Sequence, residues 1–275
     1  VATIALSCAA AASIALTGCS TESGSQTATG TSAASTETGS TTVIDDPAAQ
    51  VEAAAANTAD LDGAHLDLSV KGSVPNLNAK KVTAHLVTTP ADAAKGEATV
   101  VFGAEDPDEV EAPFVYVDGV LYADIAGDGY LSYGDGTSIY DVSVFLDPDK
   151  GLAHVLTELT DPTAIGSERI DGVETTKISG TVPAGALAAL TGARQVVGPQ
   201  DAPVPTTVWL TTGTNQLARL VFAPNPADEN ATITVDLGNW NETVDIEKPA
   251  VINTPSVAPS GTPAPGQPTR EPSGG

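Results

Sequence analysis

Cys19 is the residue whose chemistry can be named first. It closes the run Leu16-Thr17-Gly18-Cys19, behind an uncharged stretch over residues 1–16 made mostly of alanine, leucine and isoleucine. An apolar segment of that length followed by small residues has the form of a secretory signal, and the last four residues have the form of a bacterial lipobox. The spacing follows from the chemistry. A diacylglyceryl group is transferred to the Cys19 thiol, and small side chains at 17 and 18 let a peptidase reach the 18–19 bond. Residues 1–18 are therefore expected to be a cleaved lipoprotein signal peptide, with acyl chains (palmitate among them) left on Cys19. As an uncleaved membrane helix the segment would sit at the short end of what spans a bilayer. Export signals carry Lys or Arg ahead of the apolar run, and none stands here. Further residues upstream of Val1, or a Val1 read from an alternative start codon, are expected.

Other reactive side chains are sparse. The second cysteine, Cys8, lies inside the segment to be removed, so the mature chain keeps no thiol for a disulfide, a metal or a nucleophile. His65, His85 and His154 are far apart and on different predicted elements, without metal-ligand spacing, and read as surface or cap residues. Asp147, Asp149 and Glu158 match positions 1, 3 and 12 of a calcium loop. The sixth position is Leu152, where glycine is required, and a helix should already be running there. A helix cap is the better reading. Asp124 and Asp128 beside Gly127 and Gly129 read as a turn. There is no G-x-S-x-G and no phosphate-binding loop, so no catalytic residue, cofactor or metal is assigned and the chain is not read as an enzyme. Asn230 and Asn241 open glycosylation sequons, which are uninformative in a bacterial lipoprotein.

Composition narrows the partners. A formal charge of −24 and an isoelectric point near 4.1 exclude nucleic acid, because nothing is available to neutralise phosphates. The same charge disfavours adsorption to anionic lipid head groups. Membrane association must then come from the covalent lipid, with about 0.8 kcal/mol per buried CH₂.

Four zones follow: the signal over 1–18; the lipidated Cys19 and a tether over 19–42; a domain over 43–252; and a tail over 253–275. The tether holds Ser, Thr, Gly, Ala, Glu and Gln and no larger apolar side chain. It cannot bury enough surface to offset its ordering entropy, and its r.m.s. reach is about 25–30 Å. The tail is rich in proline with Ser, Gly and Thr, and is read as disordered. The domain between them is large enough for a real core.

Within the domain the period is mostly two. His65-Leu66-Asp67-Leu68-Ser69-Val70-Lys71 puts Leu66, Leu68 and Val70 on one face. Strands are expected over 81–88, 97–102, 114–117, 120–123, 175–182, 206–212, 216–222, 231–237 and 242–246. Asp118-Gly119 between two β-rich runs is the signature of a type I′ hairpin turn. Asp46-Pro47 should open a helix towards Asp60, Asp147-Pro148-Asp149 a second over 150–159, and Pro183-Ala184 a short third through Leu190. Few helices on a large antiparallel sheet is an α+β fold. Five Tyr, four Phe, two Trp and no Met are thin filling for such a sheet. The core is either small and alanine-rich, or part of one face is left for something else.

A set of ordered motifs then carries a resemblance. These are Gly63-Ala64-His65-Leu66, FVYVDGVLYA at 114–123, Tyr140-Asp141, DPDKGLAHVL at 147–156 and Ile178-Ser179-Gly180-Thr181-Val182-Pro183-Ala184. PTTVWL at 205–210, Trp240 and Lys248-Pro249 complete it. In this order they resemble the LppX/LprA/LprF/LprG family of mycobacterial and actinobacterial lipoproteins, nearest in motifs to its LprG/LprF branch. The long Ser/Thr tether and Pro-rich tail depart from the family pattern.

The resemblance implies a curved, largely antiparallel half-barrel with helices on one side, enclosing an apolar cavity. It implies a carrier of acylated envelope lipids (acylated glycolipid, lipoglycan or triacylglycerol), anchored on the outer face of the cytoplasmic membrane, with a membrane transporter as a candidate partner. The lining it assigns is Leu66, Leu68, Val70, Ala98, Val100, Phe102, Val117, Leu121, Ile178, Val208 and Leu210. Taken singly, each of these residues reads first as ordinary core, since a sheet must bury one face. A second reading is an extracytoplasmic signalling or sensor-partner lipoprotein that moves no lipid. An esterase or glycosyl hydrolase would need a convergent polar site, and the sequence offers none.

Overall fold

Alternating strands must pair along their edges and bury one face, and here the pairing is continuous. The computed structural model describes residues 46–252 apart from 73, 75–76, 103–107, 137–141, 192–198, 225–227 and 229, with the side chain of Phe102 also outside the description. The signal, Cys8, Cys19, the tether, the tail and the Tyr140-Asp141 motif lie outside the described residues.

The strands are β1 (Gly63–Lys71), β2 (Ala79–Val87), β3 (Ala93–Phe102), β4 (Asp108–Val117), β5 (Val120–Ala123) and β6 (Leu131–Asp135). They continue with β7 (Thr160–Ile170), β8 (Val173–Pro183), β9 (Pro203–Thr211), β10 (Leu217–Phe222) and β11 (Thr232–Gly238). They form one open 11-stranded sheet in the order β6-β5-β4-β3-β2-β1-β11-β10-β9-β8-β7, and every neighbouring pair is antiparallel. The architecture is thus two meanders, β1 to β6 and β7 to β11, sewn together where β11 pairs with β1.

Directly paired residues point to the same side of a sheet, so the register fixes a row of side chains. Ala164, Ile178, Val208, Leu220, Val235, Leu68, Val82, Ala98 and Ala112 are successive partners from β7 to β4. All are apolar, and this is the inner face. Covering it are α1 (Pro47–Ala59), α2 (Leu152–Thr157) and two short 3-10 turns, Val142–Leu146 and Ala184–Leu187. Their buried Val51, Ala54, Phe145, Leu152, Val155, Leu156 and Leu187 belong to the same core as Leu66, Leu220 and Val235. Each fully buried Leu, Val or Phe contributes about 1.5–3 kcal/mol.

Local chemistry accounts for the element ends. Asp46 caps α1, its Oδ1 accepting from the Ala48 N–H at 3.0 Å, with Pro47 as the first helical residue. Asp147 Oδ1 accepts from the N–H groups of Asp149 (2.8 Å) and Lys150 (3.2 Å), so it organises a turn, and α2 starts only after Gly151. The helix is shorter than the sequence expectation of 150–159, and the expected third helix is the single 3-10 turn Ala184–Leu187. Asp124 Oδ1 holds the Gly127 N–H at 2.7 Å in the anticipated turn.

Three differences from the expected strands stand out. β6 and β7 are additional strands, and 242–246 is not a strand. The β4–β5 hairpin is as expected: Val117 pairs with Val120, and Asp118 and Gly119 hold φ of 54° and 74°, the two left-handed positions of a type I′ turn. A Cβ on Gly119 would meet nothing within 4 Å, so a substitution there tests backbone strain alone. Gly119→Val should destabilise by about 1–2 kcal/mol, read as a lowered urea midpoint with an unchanged slope. A neutral result would mean the turn tolerates another geometry.

Candidate functional site

The inner face has two regimes. Leu66, Leu68, Ile178, Val208 and Leu210 are at most 2% exposed and Val70 is 9% exposed, beneath the helices. Where β2 begins, β3 ends and β4 begins the cover thins, although Ala94, Phe114 and Tyr116 further along the same strands are closed. Ala98, Val100 and Val110 are half-buried, as are Ala79 beside Val100 and Leu121 on β5. Val74, Leu77, Ile125 and Val144 add further partly buried apolar surface against the same core. Small residues lie between them: Gly96 pairs with Ala84 and Phe114, and Ala98 with Ala112.

Val117 is a correction. The two-residue turn pairs Val117 with Val120 and Tyr116 with Leu121, so Val117 and Leu121 stand on opposite faces. Leu121 is on the inner face; Val117 is half-buried on the outer one. Counting alternation along one strand does not carry across a hairpin until the pairing is known.

The outer face is polar and laddered. Lys177, Trp209, Arg219, Asp236, Asp67, Thr83 and Glu97 are successive cross-strand partners. Lys177 Nζ lies 4.8 Å from the Trp209 ring centroid and Arg219 Cζ 5.9 Å. Trp209 Nε1–H donates to Glu168 at 2.9 Å. Arg219 makes a two-pronged contact with Asp236 through Nε and Nη2, the latter at 3.0 Å. That hydrogen bond holds the guanidinium above its ordinary pKa against the opposing effect of burial. Ladders of this kind tie strands together and need no ligand to explain them.

A second outer row brings together residues that the sequence kept apart. His65 pairs directly with His85, which continues through Lys95 and Val115 to Tyr122. The two imidazoles meet edge to face, centroids 4.7 Å apart. Reading the histidines as unrelated surface or cap residues is therefore corrected for this pair; His154 sits on α2, apart from them. The only signal was that each lies on an alternating strand, and the register that unites them is not local information.

With both faces mapped, similarity to known proteins becomes informative. Residues 46–246 match the family model described as LppX_LprAFG lipoprotein, a span that contains all eleven strands and both α-helices. The chain belongs to the LppX/LprAFG lipoprotein family. It is 41% identical over 189 residues to the lipoprotein LprA of Mycobacterium tuberculosis, covering 68% of this chain and 75% of that one. It is 38% identical over 195 residues to the lipoarabinomannan carrier protein LprG of Mycolicibacterium smegmatis, covering 70% and 78%. The crystal structure of LprF from Mycobacterium bovis superposes with a TM-score of 0.65 at 27% identity, covering 74% of this chain and 97% of that one. LppX from Mycobacterium tuberculosis shares the fold at a TM-score of 0.54 and 24% identity, covering 73% and 98%.

Within the LppX/LprAFG match, the boundary at 246 falls inside a strap that follows β11. Asn241 N–H donates to Gly63 O at 2.8 Å, Trp240 Nε1–H to Leu217 O at 3.0 Å, and Ile252 N–H to Tyr130 O at 2.9 Å. Lys248 Nζ stands 5.5 Å from the Tyr122 ring centroid. The strap thus runs over the outer face from β1 towards β6, and accounts for the burial of Tyr122 on that side. At its start, Asn57, Asp60, Thr214, Gln216 and Asn241 line a polar depression of about 290 Å³, unsuited to acyl chains. Among the described residues no helix is long and apolar enough to cross a membrane.

Proposed function

We propose that this chain is a lipid-anchored carrier that shields the acyl chains of envelope glycolipids or lipoglycans on the outer side of the cytoplasmic membrane. The observation that carries the reading is the gradient along the inner face. Closed side chains over most of that face give way to half-buried Ala79, Ala98, Val100 and Val110 at one end of β2, β3 and β4, while Leu86, Phe114 and Tyr116 on the same strands stay closed. A fold that only needed a core would close that end as well. The acyl chains lie against Ala98, Val100, Leu121 and their neighbours Ala79 and Val110, while Leu66, Leu68, Val70, Ile178, Val208 and Leu210 supply the packed floor that holds the sheet. Phe102 follows Val100 along β3. Moving a tail from water onto this face recovers about 0.8 kcal/mol per CH₂, close to what the membrane offers. Loading is then nearly balanced and runs in both directions without catalysis. The relatives named lipoarabinomannan carrier protein support the ligand class. Cys19 and the 19–42 tether give the domain its reach from the membrane.

Ala98→Trp tests this reading. In a packed core an added indole overpacks and costs about 1–3 kcal/mol. Over a lipid site it occupies the place of the tail, so the melt should hardly move while copurified lipid falls several-fold by extraction and mass spectrometry. A stable variant that still loads lipid, or one that melts early, counts against Ala98 as lining. Absence of bound lipid in the wild type, expressed in a host that makes such lipids, sinks the carrier reading.

A further inference from the structure

We propose that His65 and His85 form a two-imidazole site for a divalent transition-metal ion, Zn²⁺ or Cu²⁺, on the outer face of the sheet. The inference is independent of the lipid site on the inner face. The two residues are direct partners of β1 and β2, so the backbone ladder fixes their separation. A metal–nitrogen bond is about 2.0–2.1 Å. Adding the distance from nitrogen to ring centre places each centroid about 3.2 Å from a bound ion. Two rings at roughly 90–110° about one ion then have centroids about 4.5–5.3 Å apart. The rings stand at 4.7 Å with an interplanar angle of 61°, within that range of centroid separations.

Protonation is arranged to suit. His65 Nε2 lies 3.1 Å from Asp67 Oδ2. A carboxylate only accepts, so Nε2 carries the proton and, in the neutral ring, Nδ1 is left with a bare lone pair. Asp67 is itself fixed by the Thr83 hydroxyl, which donates to Oδ1 at 2.6 Å. Thr83–Asp67–His65 is thus a carboxylate–histidine relay of the kind that orients metal ligands. Nδ1 of His65 and Nδ1 of His85 are both buried and without a hydrogen-bond partner. A buried ring nitrogen without a partner is costly whether it carries a proton or a lone pair, and an ion on the two Nδ1 atoms would satisfy both at once. Imidazole nitrogen suits Zn²⁺ and Cu²⁺ and not Ca²⁺ or Mg²⁺. Among the described residues no group of three or more His, Cys, Asp or Glu gathers around one point, so the two imidazoles are the protein ligands this site offers.

The test uses the full chain, prepared without a polyhistidine tag and with Cys8→Ser and Cys19→Ser so that no thiol competes. After chelator treatment it is titrated with Zn²⁺ or Cu²⁺ alone, in excess Ca²⁺ to occupy the acidic surface. Calorimetry should show one ion per chain, and the Cu²⁺ paramagnetic resonance spectrum should carry splitting from two imidazole nitrogens. His65→Ala and His85→Ala should each weaken binding more than about tenfold, and Asp67→Asn by about 10–100-fold, while His154→Ala leaves it unchanged. Binding indifferent to both His65→Ala and His85→Ala, or no binding beyond that of the double variant, overturns the proposal. Should a variant fold poorly, wild-type proton spectra decide: Cu²⁺ must broaden the His65 and His85 rings before His154, and the reverse order refutes the site.

Discussion

Cys19→Ala should move the protein out of the membrane fraction almost completely, provided it is exported on a signal that an ordinary signal peptidase removes. The other routes to the membrane are weak. No described helix is long and apolar enough to span, and a formal charge of −24 is repelled by anionic head groups. Each acyl CH₂ contributes about 0.8 kcal/mol, so a chain of palmitate length supplies on the order of 10 kcal/mol, and stable anchoring takes more than one chain. Removing the thiol removes every chain together. Fractionation of cells carrying the variant should put the domain in the supernatant or medium, with its melting midpoint unchanged because residue 19 lies outside the folded sheet's matched span of 46–246. Retention in the pellet would defeat the lipoprotein assignment for Cys19.

Gly96→Val should produce the largest loss of stability among single substitutions in the sheet. Gly96 sits in the middle of β3, paired with Ala84 on one side and Phe114 on the other. A Cβ at this position would collide with the carbonyl oxygen of Thr83 and would lie 2.7 Å from Ala84 Cα and 2.8 Å from Ala84 Cβ. Two of those atoms are backbone, so relief requires β2 and β3 to separate rather than a side chain to turn. Overpacking of cores costs about 1–3 kcal/mol when side chains can adjust. Backbone contact puts the expected cost at about 3 kcal/mol or more, against a typical total of roughly 5–15. For a domain of this size the midpoint should fall by about 6–12 °C or more, measured by circular dichroism. Gly119→Val, in open space, should cost less. A Gly96→Val melt within about 2 °C of wild type would mean that β2 and β3 are not packed in the stated register.

Where sequence patterns were legible, a buried face or a specialised turn had to be written locally. Leu66, Leu68 and Val70 alternate because β1 is central and buried on one side only; Asp118-Gly119 marks its hairpin because few other residues adopt those angles. The missed strands have the opposite character. β6 and β7 are the two edges of the sheet. β7 carries Pro162 and Gly166, register shifts at Thr160/Thr163 and Ala164/Gly166, and an exposed Ile165. Edge strands are broken in this way because an unpaired edge invites association. The segment 242–246 failed in reverse: Thr243-Val244-Asp245-Ile246 alternates like a strand, but β11 already has β10 and β1 beside it. With both sides of the strand it follows already taken, the segment crosses the outer face as a strap.

The sequence by itself determined the one-sided strands, the α1 cap and hairpin turn, the acidic surface, the absence of a mature thiol if Cys19 is lipidated, and the family. These follow from residue type, period and short-range hydrogen bonding, which act within a few residues. Only the tertiary structure decided that β1 pairs with β11, that Val117 faces away from Leu121, and that the inner face is closed near Ile178 and half-open near Ala98. It alone brought His65 against His85. Each of these depends on which strand edges remain for pairing and which face the helices can cover. That is a collective choice made by the whole buried surface, and no window of the chain contains it.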